Sequence, residues 1–236
     1  MNRLVMILLK NITKLPSAYA KLCKYAKAPE KYTRQEMWDH IGYIMGLAAK
    51  SANVDLQVTG LENIPKEGSF MLYGNHQGLF DVVAIAASCP RPLSVVYKKE
   101  LSNVPILKQI YACTNSFAMD REDVRQSLTV IQNVTQQVKN GYPYLIFPEG
   151  TRSKLGNKML PFHGGSFRCA VKAKCPVVPM AFINSFRVLD EKGSDRVTVQ
   201  LHYLPPIPYE EFQDLKAAEL AALVQGKIQT VIDENC

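Results

Sequence analysis

Short apolar segments alternate with amphipathic segments along most of the chain. Seven apolar or alternating runs have the length and composition of β-strands, at 56–59, 70–74, 93–97, 116–119, 144–147, 177–183 and 196–203. Apolar residues recur at helical spacing at 80–88, 104–112, 123–140, 165–174 and from about 209 to 233. Strands that alternate with helices predict an α/β fold, in which helices flank a mixed, largely parallel sheet.

The first 53 residues have a different pattern, which predicts a helical pair in front of an α/β domain at 54–236. Pro16 is expected to kink or divide the first helix, and the second helix is predicted at 33–51. The basic residues of the first helix recur along one face: Arg3, Lys10, Lys14, Lys21 and Lys24. Its apolar residues lie roughly opposite: Val5, Leu8, Leu9, Ile12, Tyr19, Leu22, Cys23 and Ala26.

The formal net charge of +7 over 236 residues is distributed unevenly. Residues 1–28 contain six basic and no acidic side chains, and residues 82–174 have a net charge of +8, while the other segments are acidic. The chain from residue 29 onward is therefore nearly neutral as a whole. This balance and the single Trp argue against a nucleic-acid partner. The positive segment at 82–174 would favour an anionic substrate.

We interpret residues 1–50 as an element that lies on an anionic membrane surface, at the cytoplasmic side of the cell membrane. An amphipathic helix with Lys and Arg on its polar face is typical of interfacial helices. The uncharged runs of the sequence are too short to predict a membrane span. Two alternatives are a helix that docks on the body with a solvated lysine face, and a secretory signal peptide, which Lys10 and Lys14 disfavour.

The strand predicted at 70–74 ends in a polar turn that contains His76 and, five residues later, Asp81. On one continuous helix these side chains would point about 140° apart. They can meet only if His76 lies in a turn between strand and helix and Asp81 in the first helical turn. A carboxylate that holds one ring nitrogen leaves the other free to act as a base. The alternative is a structural histidine, with Asp81 as a helix cap.

A second polar turn follows the strand predicted at 144–147, and its sequence at 147–153 is F-P-E-G-T-R-S. Together with N-H-x4-D at 75–81, this segment resembles two motifs of the glycerolipid acyltransferase family. The sequence C-P-V-V-P at 175–179 resembles a third family motif, with Cys175 in place of an aliphatic residue. The resemblance covers about residues 56–203, and the bacterial members that acylate lysophosphatidate are the most similar.

A remaining family motif, G-x-x-F-x-x-R, is imperfect at 115–121. The sequence keeps Arg121 but has Asn115 in place of Gly and Ala118 in place of Phe. These departures affect the predicted shape of the wall beside the phosphate, and with it the choice of acceptor.

The resemblance implies transfer of a fatty acyl chain from a thioester, of acyl carrier protein or coenzyme A, to the sn-2 hydroxyl of lysophosphatidate. The product would be phosphatidate, in phospholipid biosynthesis. His76 is expected to be the general base and Asp81 the residue that orients it. Backbone N–H groups at 77–78 or near Gly150 are candidate donors to the tetrahedral oxyanion.

The acceptor's phosphate requires cationic or hydrogen-bonding partners near these motifs. The predicted phosphate-binding residues are Arg121, Arg152, Lys98, Lys99 and Thr151. Three further residues are expected to position the acceptor: Glu149, Gly150 and Asn75. No metal ion or other cofactor is predicted, because the sequence has no metal-ligand motif, and the thioester is a co-substrate.

Two other functions stay open at this point. One is a related acyltransferase that acts on another lysophospholipid or on glycerol 3-phosphate, and the irregular motif at 115–121 keeps it open. The other is a catalytically inactive peripheral lipid-binding protein. The combination of His76, Asp81, Glu149 and Arg152 argues against this second alternative, because a binder needs no base.

Overall fold

Seven strands form one sheet at the centre of the structure, a computed structural model that describes residues 3–236. The strands are β1 (Val54–Thr59), β2 (Met71–Gly74), β3 (Ser94–Lys98), β4 (Phe117–Met119), β5 (Tyr144–Ile146), β6 (Val177–Ile183) and β7 (Val197–Tyr203). Their order across the sheet is β1-β7-β6-β2-β5-β3-β4. All neighbouring pairs are parallel except β6 and β7. The predicted mixed, largely parallel sheet is therefore confirmed.

Nine α-helices accompany these strands within residues 3–236. They are α1 (Arg3–Lys10), α2 (Leu15–Lys27), α3 (Arg34–Ser51), α4 (Phe80–Ser88), α5 (Leu107–Thr114), α6 (Val124–Lys139), α7 (Arg168–Ala173), α8 (Phe186–Leu189) and α9 (Ala217–Asn235). The first predicted helix is divided at residues 11–14, and Pro16 lies in the first turn of α2, where its missing N–H costs no hydrogen bond.

Three predicted helices begin later in the structure, and a fourth, short helix was not predicted. Helix α5 begins at Leu107 and not at residue 104. The segment predicted at 165–174 begins as a 3-10 turn, Gly164–Phe167, because two glycines disfavour an α-helical start. The last helix begins at Ala217 and not near residue 209, and Glu219 accepts the Lys216 N–H at 2.6 Å to fix this start. Helix α8 was not predicted, because four residues are too short to show a helical period.

The central strands are buried on both faces, which explains why they read as unbroken apolar runs. Successive residues of a strand point to opposite faces. In β2, Met71 and Tyr73 pack in a core with α6, α7 and α9. Leu72 packs in the other core, together with residues of α3 and α4. Helices thus cover both faces of the sheet. Polar turns can therefore lie only at the ends of its strands.

The N-terminal helices share the hydrophobic core of the α/β body. Trp38 and Ala49 of α3 belong to the same buried cluster as Phe80 and Val199, and the Trp38 ring nitrogen donates to the Cys89 carbonyl at 2.9 Å. Helix α2 packs on α3 and α5, with Leu22 fully buried. The core therefore crosses the predicted boundary at residue 53.

The predicted basic face of the first helix was wrong for one residue. Arg3 is buried and donates hydrogen bonds to backbone carbonyls of the body, so it is not on the lysine face. The outward face of α1 is apolar instead, with the side chains of Leu4, Val5, Leu8 and Leu9 about half exposed. No helix among the described residues combines the length and the apolar character that crossing a bilayer requires.

Replacing Trp38 tests whether α3 is part of the core. We expect Trp38→Ala to lower the free energy of unfolding by about 3–5 kcal/mol, since it removes a large buried side chain and leaves a cavity. The matched control is Tyr43→Ala on the same helix, where half of the side chain is exposed, and we expect less than about 1 kcal/mol. Urea unfolding followed by circular dichroism measures both. Equal small effects would contradict a shared core.

Candidate active site

Parallel strands bring the polar turns of the sequence to one edge of the sheet. Strands β2, β5, β3, β4 and β6 run in the same direction, so that the residues following each strand meet at their carboxyl ends. In open α/β sheets this edge is where ligands bind. All the predicted site residues lie at the end of one of these strands or after it.

His76 and Asp81 are in contact across the turn between β2 and α4. His76 lies in the turn, Asp81 lies in the first turn of α4, and the His76 Nδ1 to Asp81 Oδ2 distance is 2.7 Å. This is the arrangement that their spacing requires. Because Nδ1 donates to the carboxylate, Nε2 is the ring nitrogen that can accept a proton. The imidazole is partly exposed, whereas Asp81 is fully buried.

Asp81 is held by the backbone of the same turn. Its Oδ2 accepts the N–H groups of Gln77 at 2.8 Å and Gly78 at 3.0 Å, in addition to the imidazole. A buried carboxylate is costly unless such donors surround it. These two amides were candidate oxyanion donors, and the structure engages them otherwise. The Gly150 N–H is also engaged, by the Phe147 carbonyl at 3.1 Å.

Glu149 fixes the backbone of the histidine turn. Its Oε1 accepts the His76 N–H at 2.6 Å and its Oε2 accepts the Leu160 N–H at 2.8 Å. Burial raises the pKa of Glu149, while the two backbone donors favour its ionised form. Both carboxylate oxygens are therefore turned to the protein in this conformation, and contact with the acceptor stays a prediction.

Asn75 and Phe147 hold the same turn from two other sides. The Asn75 side chain donates to the Phe182 carbonyl at 2.9 Å and accepts the Phe182 N–H at 2.7 Å, which ties the end of β2 to β6. The Phe147 ring stacks on the His76 imidazole, with ring centroids 4.1 Å apart. Asn75 is buried in this role, so its expected contact with the acceptor is likewise still a prediction.

An amide network that was not predicted lies beside the site. The Gln77 side chain donates to Asn157 Oδ1 at 2.9 Å and accepts the Ser185 N–H at 2.9 Å, and the Asn184 N–H also donates to Asn157 Oδ1. These contacts join the histidine turn to the loop after residue 153 and to the end of β6. Gln77 and Asn157 have no distinctive spacing in the sequence, so only the folded structure identifies them.

Three residues of the second turn, Gly150, Thr151 and Arg152, are more exposed than Glu149. Arg152 forms an ion pair with Asp190, and Asp190 Oδ2 also accepts the Leu79 N–H at 2.8 Å. Gly150 has a φ of 70°, a conformation that favours glycine. Thr151 is exposed beside it. Arg152 is thus adjacent to the histidine turn, as the predicted phosphate contact requires.

The other predicted phosphate-binding residues lie farther along the same edge. Lys98 ends β3 and pairs with Glu100, Lys99 pairs with Asp120, and Arg121 follows β4. Because β4 is three strands from β2, its end is about 14 Å from the histidine turn at the usual strand spacing. The structure therefore groups His76, Asp81, Glu149, Gly150 and Arg152, and separates the lysines and Arg121 from them.

The departure from the family pattern at Asn115 preserves the backbone conformation. Asn115 follows α5 with a φ of 51°, in the left-handed region that glycine favours and that Asn tolerates best among other residues. The turn before β4 thus forms without the expected glycine.

The two polar turns that meet at this edge carry the segments 75–81 and 147–153, whose sequences resemble motifs of the glycerolipid acyltransferase family. The sequence model described as "Acyltransferase" matches residues 55–183, more than half of the chain. This protein therefore belongs to the acyltransferase family, and it is an enzyme of that class.

Several similar proteins are named for one reaction. The chain is 32% identical over 172 residues, 66% of its length and 72% of the relative's, to a 1-acyl-sn-glycerol-3-phosphate acyltransferase of Helicobacter pylori. It is 27% identical over 194 residues to the enzyme of the same name from Salmonella typhimurium, covering 82% of this chain and 79% of the relative. The crystal structure of the 1-acyl-sn-glycerophosphate acyltransferase PlsC from Thermotoga maritima has the same fold, with a TM-score of 0.75, 22% identity and 97% coverage of both chains.

Glu149→Gln tests the two backbone contacts of Glu149. The amide would direct an N–H₂ group at a backbone N–H, so we expect a loss of about 1–3 kcal/mol in the free energy of unfolding at pH 7. The control, Glu122→Gln, changes an exposed carboxylate and should stay within about 0.5 kcal/mol. Urea unfolding measures both. An unchanged stability in Glu149→Gln would mean that these contacts do not fix the turn.

Proposed function

We propose that this acyltransferase transfers a fatty acyl chain from a thioester to the sn-2 hydroxyl of lysophosphatidate and so makes phosphatidate. The observation that carries the proposal is the hydrogen bond between the His76 imidazole and buried Asp81, next to the turn that carries Arg152. The relatives named 1-acyl-sn-glycerol-3-phosphate acyltransferase support the choice of acceptor.

In the proposed mechanism His76 Nε2 removes the proton of the acceptor hydroxyl as the oxygen attacks the thioester carbonyl. An alcohol is a poor nucleophile at neutral pH, so a positioned base is needed during the attack. Asp81 holds the imidazole in the required tautomer and stabilises the imidazolium that forms. The tetrahedral intermediate then collapses, the thiolate leaves, and the imidazolium returns its proton to the sulfur.

Arg152 is proposed to bind the phosphate of the acceptor. An arginine can bind phosphate with two parallel hydrogen bonds, which fixes orientation as well as affinity. Arg121, Lys98, Lys99 and Thr151 are proposed to contribute along the same edge. The reaction is proposed to need no metal ion or other cofactor, and its co-substrate is the thioester of acyl carrier protein or of coenzyme A.

The lipid acceptor is proposed to reach the site from a membrane surface on which residues 1–50 lie. The apolar outward face of α1 supports this, because a solvated helix would place polar residues there. The exposed lysines of α1, α2 and their connection, Lys10, Lys14, Lys21 and Lys24, would contact anionic headgroups. We propose the cytoplasmic side of the cell membrane as the location, with peripheral attachment.

We expect His76→Ala to lower acyl transfer by several orders of magnitude while the protein stays folded, because the base is removed. The measurement is conversion of lysophosphatidate to phosphatidate by mass spectrometry, with acyl-CoA and acyl carrier protein thioesters offered separately. The control is His202→Ala, since His202 hydrogen-bonds Thr59 in β1. Near-normal transfer by His76→Ala would remove His76 as the base.

A panel of acceptors separates the proposed function from its alternatives. Preference for glycerol 3-phosphate or another lysophospholipid would indicate the related acyltransferase. Failure of the wild-type protein to release free thiol with any acceptor would indicate the inactive lipid-binding protein.

The double substitution Leu8→Ser/Leu9→Ser tests the membrane surface. These two side chains are 58% and 57% exposed, and burial of each leucine in the interface contributes about 1.5–3 kcal/mol. We expect binding to anionic vesicles to fall at least tenfold. Substitutions are preferable to removal of residues 1–50, because that deletion would also take α3 out of the core. The control is Val124→Ser/Leu128→Ser on exposed positions of α6, and equal loss in both variants would contradict the proposal.

A further inference from the structure

The segment 186–195 contacts both helix α1 and the histidine turn. On one side, the Arg3 guanidinium donates to the carbonyls of Arg187 at 2.8 Å, Val188 at 3.1 Å and Asp195 at 2.7 Å. These three carbonyls lie on either side of Asp190 along the chain. Arg3 is only 4% exposed, so its contacts are sheltered from water.

On its other side, the segment reaches the site through one carboxylate. Asp190 Oδ1 pairs with Arg152 Nη1, and Asp190 Oδ2 accepts the Leu79 N–H at 2.8 Å. The approach is close, because a Cβ atom on Gly78 would lie 2.5 Å from Asp190 Oδ2. Glycine at position 78 therefore lets this carboxylate lie against the histidine turn. Among residues 3–236, Asp190 is the partner that the structure gives to the Arg152 side chain.

We propose that Asp190 is a positioning residue for Arg152, and that Arg3 fixes the segment that carries Asp190. The packing of α1 against the segment 186–195 then determines the orientation of the Arg152 side chain toward the anionic group of the acceptor. This inference rests on the proposed function, because it assumes that Arg152 binds the acceptor's phosphate.

The physical reason lies in the flexibility of arginine. A long side chain loses rotamer freedom when it binds an anion, and a partner that already holds it in the bound orientation reduces that cost. Asp190 occupies one guanidinium nitrogen and leaves the other N–H groups to a phosphate. The same carboxylate holds the Leu79 N–H at the start of α4, so arginine and imidazole keep a fixed relation to each other.

The contact with α1 gives this arrangement a link to the proposed membrane surface. The outward face of α1 carries Leu8 and Leu9, while its inward face carries Arg3. A lipid surface that holds the outward face would hold the inward face against the segment 186–195. We therefore expect substitutions at Arg3 and Asp190 to act on the same property, the affinity for the acceptor.

The first test is Asp190→Asn, which keeps an acceptor for the Leu79 N–H and removes the ion pair with Arg152. We expect the KM for lysophosphatidate to rise about tenfold with kcat changed less than threefold, because contact with a non-reacting phosphate contributes equally to ground and transition state. The control is Glu191→Gln, which removes the next carboxylate along the chain, 3.8 Å from Arg187, and should leave both constants unchanged. If Asp190 only stabilised the fold, Asp190→Asn would lower the fraction of enzyme molecules that are active, and the apparent kcat would fall instead.

The second test compares two substitutions that each remove one positive charge from α1. We expect Arg3→Gln to raise the KM for lysophosphatidate about three- to tenfold in vesicle and detergent assays alike. Lys10→Gln, on the exposed face, should weaken vesicle binding and leave the KM in detergent unchanged. In a double-mutant cycle, Arg3→Gln and Asp190→Asn should be less than additive in kcat/KM, since either one releases Arg152. Arg3→Gln and Glu191→Gln should be additive.

Three results would overturn the inference without touching the proposed function. The first is an unchanged KM in Asp190→Asn. The second is a lower KM, which would mean that Asp190 competes with the phosphate. The third is full additivity of Arg3→Gln with Asp190→Asn. If Asp190→Asn fails to fold, the inference is tested by the KM for lysophosphatidate of Arg3→Gln compared with that of Lys10→Gln. A wild-type protein that makes no phosphatidate would instead contradict the proposed function itself.

Discussion

A single buried carboxylate determines the geometry of the site. Asp81 has no access to water, and its Oδ2 receives three N–H groups, two from the backbone of the turn and one from His76. A buried ionised carboxylate is costly without hydrogen-bond donors, so the turn must bring its N–H groups to Oδ2. Closing the turn fixes the imidazole and its tautomer at the same time. The three donors to Asp81 Oδ2 therefore position the proposed base, while Asp81 Oδ1 has no hydrogen-bond partner among residues 3–236.

Contacts from neighbouring strands of the sheet also hold the histidine turn in place. Glu149 takes the His76 N–H from the side of β5, and Asn75 binds the backbone of β6. Both contacts depend on neighbouring parallel strands that end at the same height. The predicted cationic residues lie at or just after the ends of β3, β4 and β5, so they are spread along this edge of the sheet.

Much of this arrangement could be predicted from the sequence, and the physical reasons are specific. Strands such as β2 and β6 are buried on both faces, so their apolar runs are unambiguous. The spacing of His76 and Asp81 requires a turn followed by a helix. Asp190 could not be found in this way, because α8 is too short to show a period and its partner Arg152 is 38 residues away.

Arg3 shows a different limit of sequence reasoning. Helical phase assigned it to a basic face, but phase does not tell whether a guanidinium lies in water or against backbone carbonyls. The backbone contacts of Glu149 could not be predicted for a related reason. A carboxylate in a polar turn suggests a substrate contact, whereas here two backbone N–H groups take both of its oxygens.

The pairing of β1 with β7 has a consequence for how the chain folds. Val54 lies opposite Val197 and Thr59 opposite His202, so this edge of the sheet joins residues 143 positions apart. Contacts of such long range slow folding, because a large loop must close before they form. During synthesis β1 has no partner until nearly the whole chain has left the ribosome. The contacts that α3 makes with the core around Val199 must also wait, whereas its contacts with α4 and α5 involve only residues up to 114 and can form earlier.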